Sequence, residues 1–241
     1  MATVPVRVKS PRERERLIFT AASIAAALVV VAGFSRTYYL KELFGTPQLS
    51  PLVHLHGLLF SSWVVLFIVQ AWLVSSRRTR LHMKLGIAGF LLAVTMIIVG
   101  TLTAVTAARL GHAPPGAPPP LIFFVIPFFD MVVFTILIAA GFLFRRHTDY
   151  HKRIMVVATL GLLTAAFGRL TIIFLGSGKP MLAMAGTTLL LIGIVIWDSH
   201  LHRRLHPAFA WAGALLVLSY PTRFLVAQTG AWMHFARWIT G

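Results

Sequence analysis

Residues 53–107 read VHLHGLLFSSWVVLFIVQAWLVSSRRTRLHMKLGIAGFLLAVTMIIVGTLTAVTA. Two long apolar runs flank one short turn that holds Arg77, Arg78, Arg80 and Lys84. Each run reaches the roughly 20 residues that a helix needs to cross a bilayer. Outward from this hairpin, the same pattern recurs along the chain. Seven windows qualify as spans: 17–35, 52–76, 85–108, 121–144, 154–175, 181–197 and 208–228. The first, third and sixth contain no charged residue, whereas the fourth holds Asp130, the fifth Arg169 and the seventh Arg223. The fold class is therefore all-α: a polytopic integral membrane protein, one seven-helix transmembrane domain over residues 1–241.

Composition supports this reading. Of 241 residues, 58% are hydrophobic and 12% charged, half the charged share of a soluble domain, about 25%. Mean hydropathy is +0.83. The net charge of +16 would suit a nucleic-acid binder if it formed one patch. Instead the cations sit in short clusters between apolar runs, which excludes nucleic acid as a partner and leaves the lipid bilayer. Segments 1–16, 77–84, 145–153 and 203–204 together carry 15 Lys and Arg, against 5 on the opposite side. The positive-inside rule then predicts a cytoplasmic N-terminus and an outside C-terminus. The first window is longer than a signal-peptide core and lacks a clear cleavage site, so it reads as a retained helix. With no cysteine, disulfides, thiolate metal sites and cysteine nucleophiles are excluded.

The loops are short, which predicts antiparallel neighbours in one bundle. The longest interior loop, 109–120 (RLGHAPPGAPPP), has five prolines in twelve residues and reads as an extended linker on the outside. Ser50 and Pro51 mark a helix start, as cap and first helical residue. A weak repeat links RRTRLHMKLGIAG (77–89), RRHTDYHKRIMVVAT (145–159) and RRLHPAFAWAG (203–213), aligning His82, His151 and His206. Parallel repeats of this kind are common in membrane proteins.

Ten histidines are the richest chemical signal, and none lies deep within a span. A membrane haem needs ligands such as His from facing helices at matching depth. The third and fifth spans both run outward, so His82 and His151 open them at the same inner level. They are the candidate axial pair, with His206 as the substitute for either. The competing reading is three interfacial residues at helix starts.

The run VHLHGLLFSSWVVLFIVQAWLVSSRRTRLHMKLGIAGF (53–90) resembles the ascorbate-reducible di-haem b-type cytochromes. That resemblance implies haem b and a four-helix core whose alternate helices pair their histidines, which His82 with His151 would fit. It implies at most one haem here. A second pair would need an outer-end His on the fourth span, where this chain has Pro127 and Asp130. The basic turn with LHMKLG (81–86) is also similar to uncharacterised bacterial multi-pass families, which implies a location in the bacterial cytoplasmic (inner) membrane and no particular activity.

Asp130, Arg169 and Arg223 all belong to the outer half of the bilayer. An intramembrane charge is costly and normally faces a partner inside the bundle. Asp130 paired with either arginine leaves one arginine over. His56, Trp63 and Gln70 recur every seven residues and share one face of the second span, so His56 rather than His54 should point inward. A ligand-binding pocket lined by His56, Asp130, Arg169 and Arg223 would suit a small anionic solute or lipid headgroup. The alternative is a structural Asp–Arg pair.

Other signals are weaker. Gly161, Thr164, Gly168 and Thr171 form a small-residue seam suited to helix packing. Tyr220-Pro221 should bend the last span near Arg223. Asp198, His200 and His202 gather at one helix exit, but the two histidines are not at the i, i+4 spacing of a helical metal site. No Walker, GxGxxG or GxSxG motif is present, which leaves nucleotide-driven transport and serine hydrolysis without support. Three functional readings stand: a b-type-cytochrome-like redox or haem-handling protein, a carrier or receptor for an anion, and an accessory subunit bound to a membrane protein partner.

Overall fold

The computed structural model describes residues 10–241. Within the basic stretch 1–16, Arg7 and Lys9 lie outside the described residues. Helix α1 (Pro11–Phe34) starts on a capping box: the Ser10 amide donates to Glu13 Oε2 at 2.8 Å and Ser10 Oγ accepts from the Glu13 amide at 3.3 Å. Pro11 follows at the first helical position, where its missing N–H costs nothing. The helix ends in a π-helical turn, Ser35–Tyr39, and a 3₁₀ turn, Lys41–Phe44.

Helix α2 (Pro51–Ser75) is capped by Ser50, whose hydroxyl accepts from the Val53 amide. Helix α3 covers Thr79–Arg109. The fourth span is α4 (Pro120–Phe123) followed by α5 (Val125–Leu143), and the fifth is α6 (Thr148–Gly161) followed by α7 (Leu163–Leu175). Helices α8 (Pro180–His202) and α9 (Pro207–Ala227) complete seven spans. There is no strand among the described residues, because a backbone in lipid must bond to itself. The chain is an all-α, multi-pass membrane protein.

Several helices outrun their apolar windows. Helix α3 begins six residues before position 85, and α8 ends five residues after position 197. An apolar window stops at the first charge, but the backbone continues until a cap or turn, and polar side chains at the membrane edge do not stop it. A further helix, α10 (Gly230–Thr240), follows the seventh span. Thr229 caps it, and Trp232 Nε1 donates to the Leu121 carbonyl at 3.0 Å. Its rings pack on Phe124 and Phe128, so it lies across the end of the bundle that holds the proline loop. The stripe Trp232, Phe235 or Ala236, and Ile239 is an amphipathic interfacial pattern too short to register as a span.

Helix α1 packs against α2, α7 and α8. Its inward face is small, with Ala22, Ser23 and Ala26 buried. Helices α5, α6 and α9 pack together on the other side. The polar stripe of α2 faces this interior. Trp63 is buried, donates from Nε1 to Thr159 Oγ1 at 3.3 Å, and meets Phe134 edge-on. The seam on α6 and α7 also packs: Gly161 lies against Leu216, Gly168 against Ala183. Thr164 Oγ1 lies 3.4 Å from both Thr187 Oγ1 and Tyr220 Oη. Helix α9 runs through Pro221 as one span.

Helices α1 and α7 approach backbone to backbone at Gly33. A Cβ on Gly33 would stand 2.5 Å from the Ala166 carbonyl oxygen. Gly33→Ala should therefore separate the helices and lower stability by about 1–3 kcal/mol, the usual cost of overpacking. Gly193→Ala, where a Cβ would meet nothing within 4 Å, should leave the melting temperature unchanged or raise it. Thermal unfolding of the two variants in detergent checks the contrast.

Candidate functional site

Polar side chains gather at three places. The first is at the basic end of the bundle. Arg153 and Asp198 are both buried. Arg153 Nε donates to Asp198 Oδ2 at 3.0 Å and Nη2 to Oδ1 at 2.8 Å, a bidentate fork. Arg153 Nη1 also donates to the Asp149 carbonyl at 2.9 Å. Glu15 of α1 joins the pair: Lys152 Nζ donates to it at 2.6 Å, Arg153 Nη2 at 3.5 Å, and His202 Nε2 lies 3.1 Å away. His202 Nδ1 donates to the Asp198 carbonyl at 2.9 Å. The network thus joins α1, α6 and α8.

Arg153 corrects the reading of the sequence. Counted there as a loop cation of 145–153, it is the sixth residue of α6 and only 1% exposed. The signal was available in composition. Among six acidic residues, Asp198 and Asp130 stand in apolar helices, and each requires a cation. Asp198, His200 and His202 do not form a metal cluster, since His200 is exposed. Glu15, Asp198 and His202 do offer ligand atoms within 4.8 Å of one another. However, both Asp198 oxygens are taken by Arg153, and Glu15 by Lys152, which makes this an ion-pair network.

The second place is the histidine pair. His82 and His151 stand with ring centroids 6.3 Å apart and planes at 77°. Each is the fourth residue of its helix, α3 and α6. His151 Nδ1 donates to the Gly141 carbonyl at 2.8 Å, which leaves Nε2 as the bare nitrogen of the neutral ring. His82 Nδ1 is buried without a hydrogen-bond partner. Gln70 of α2 donates to the His82 carbonyl at 3.3 Å. His206 is held elsewhere. It precedes α9 as the cap, its Nδ1 accepting from the Ala208 amide at 3.1 Å, and its ring packs on Tyr150. Burial, with the charge of Arg153, holds His206 below the ordinary imidazole range, which suits an accepting Nδ1. The repeat therefore fails at its third member, because that His sits about one turn earlier than the other two.

The third place is the opposite end, where the four residues expected in one pocket divide into two groups. Arg223 is fully buried; its Nη1 donates to Asp130 Oδ1 at 2.6 Å and to the Ile126 carbonyl at 3.3 Å, and its Nη2 to Ser219 Oγ at 3.1 Å. Arg169 instead donates from Nε to Thr37 Oγ1 at 3.2 Å and lies over the Phe34 ring, 4.3 Å from its centroid. His56 stacks on Phe60 at 4.1 Å, and its buried Nδ1 has no partner. His54, by contrast, is exposed. Among the described residues no hydrogen bond or ion pair joins Arg169 or His56 to the Asp130–Arg223 pair.

The fold and these clusters define a class, a seven-helix membrane protein with polar sites near both ends of the bundle. No protein-family model, no curated protein and no solved structure matches the chain.

A buried ion pair is stabilising only when complete, because removing one partner strands the other charge. Asp198→Leu or Arg153→Met alone should lower unfolding stability by about 3–5 kcal/mol. The double variant Arg153→Met/Asp198→Leu should recover much of that loss. Equal losses in the single and double variants, read by thermal unfolding in detergent, would contradict a mainly electrostatic tie.

Proposed function

We propose that this protein carries one b-type haem between His82 and His151 and serves in electron transfer or haem handling in the membrane. The carrying observation is the pair itself: two half-buried imidazoles from α3 and α6, 6.3 Å between centroids. That separation lets both rings reach one metal ion, since metal–imidazole nitrogen bonds are about 2.0–2.1 Å. Other features favour a ligand role for both rings. The His151 Nδ1–Gly141 bond is the outer-shell contact that fixes a metal-binding tautomer. The orphaned buried nitrogen of His82 is a position that invites a partner. One turn along α3, Gly86 leaves room: a Cβ there would meet only Gln70 Nε2, at 3.7 Å.

Bound there, a haem would supply one-electron redox chemistry. The residues of this chain would hold it: His82 and His151 as iron ligands, the Gly141 carbonyl orienting His151, and the exposed Arg78, Arg80, Arg145 and Arg146 at the same end available to the propionate carboxylates. The cation-rich end is expected on the cytoplasmic side, in keeping with a bacterial inner-membrane protein.

The optical spectrum of protein purified in mild detergent after haem supplementation tests this. A Soret band is expected in wild type and in His206→Ala, whose side chain caps α9 and packs on Tyr150. It should be lost or shifted to a five-coordinate form in His82→Ala and His151→Ala. A colourless wild type, or a band indifferent to both histidines, overturns the proposal.

A further inference from the structure

Of the two arginines expected in the outer half of the spans, one is neutralised and the other is not. Arg223 has Asp130. Arg169 has a single protein hydrogen bond, from Nε to Thr37, and no carboxylate partner among the described residues. Its two terminal amino groups, with four N–H donors, have no hydrogen-bond acceptor among the described residues. Arg169 stands six residues before the end of α7, about 9 Å at 1.5 Å per residue. A guanidinium at that depth requires an anion or water.

The surroundings are arranged around this free fork. The Gly33–Ala166 contact brings α7 against α1 one turn before Arg169. Beyond it, α1 passes into the π-helical turn Ser35–Tyr39, a rare form that is frequent at functional sites. That turn places Thr37 on Arg169 and lays Tyr38 on α2: the Tyr38 ring contacts Gly57, and its hydroxyl donates to the His54 carbonyl at 3.2 Å. His56 lies between those two contacts on α2. The Thr37 hydroxyl accepts from Arg169 and has no acceptor of its own among the described residues, and His56 Nδ1 is buried and unpaired among them.

A guanidinium fork engages both oxygens of a carboxylate, whereas a phosphate keeps further oxygens for other donors. Additional free donors, a hydroxyl and an imidazole, suit an anion with more oxygens. We propose that Arg169, Thr37 and His56 form a binding site for a phosphate group, supplied by a soluble phosphate compound or by a phospholipid headgroup. The site is independent of the haem proposal, being at the opposite end of the bundle.

Two readouts on wild type, Arg169→Gln and Thr37→Val distinguish the sources. Thermal stabilisation by inorganic phosphate at constant ionic strength, in uncharged detergent, reports a soluble ligand. Native mass spectrometry after incubation with phosphatidylglycerol reports a retained lipid. Wild type should respond in at least one arm. Both variants should weaken that response by about ten-fold or more, as loss of a hydrogen bond to a charged group implies, without changing any Soret band. Equal phosphate affinity and equal lipid retention in wild type and Thr37→Val would overturn the site, whether or not Arg169→Gln folds.

Discussion

Lipid offers no water to a charged group, so a cation drawn into a helix bundle must bring its counter-charge with it. Arg153 meets this constraint with a bidentate grip on Asp198 and a longer contact to Glu15. Three spans that share no continuous chain segment, α1, α6 and α8, are thereby tied at one end. The guanidinium fork has a fixed geometry, which sets the rotation of α6 about its axis. His151 is two residues before Arg153, so the same tie determines where that imidazole points. The Gly141 carbonyl completes its orientation from α5. The histidine pair thus stands next to an ion pair that neither histidine touches.

The distribution of the six acidic residues orders the rest. Glu15, Asp149 and Asp198 belong to the network at the basic end. Asp130 alone lies deep in the opposite half, and Arg223 takes it. Glu13 is used in capping α1, and Glu42 pairs with Lys41. No carboxylate then remains for Arg169. Scarcity of acid in a chain of net charge +16 thus makes one intramembrane cation available to a ligand, and packing selects which one.

Much of this was legible in the sequence. Seven apolar runs separated by basic turns can only be helices in lipid, and the seven-residue spacing of His56, Trp63 and Gln70 marked the inward face of α2. The matching starts of the third and fifth spans put His82 and His151 at one level. Other features were hidden by the same reasoning. A window drawn from apolar residues begins at Ile154 and so leaves Arg153 in the loop, although α6 starts at Thr148. The aligned repeat made His206 equivalent to the other two, but Pro207 opens α9 directly after it and makes it a cap. Helix α10 is amphipathic and short, so no hydropathy threshold finds it.

Sequence by itself determined the number of spans and their order, because burial in lipid acts on each segment separately. Only the tertiary structure decided which charges meet. Asp130 could have paired with either arginine, and Arg153 was not among the candidates. Helix rotation and contact order, set by small-residue seams such as Gly33 on Ala166, are collective properties of the bundle. They close Asp130 on Arg223, bring Glu15 across 138 residues to Arg153, and leave Arg169 facing Thr37.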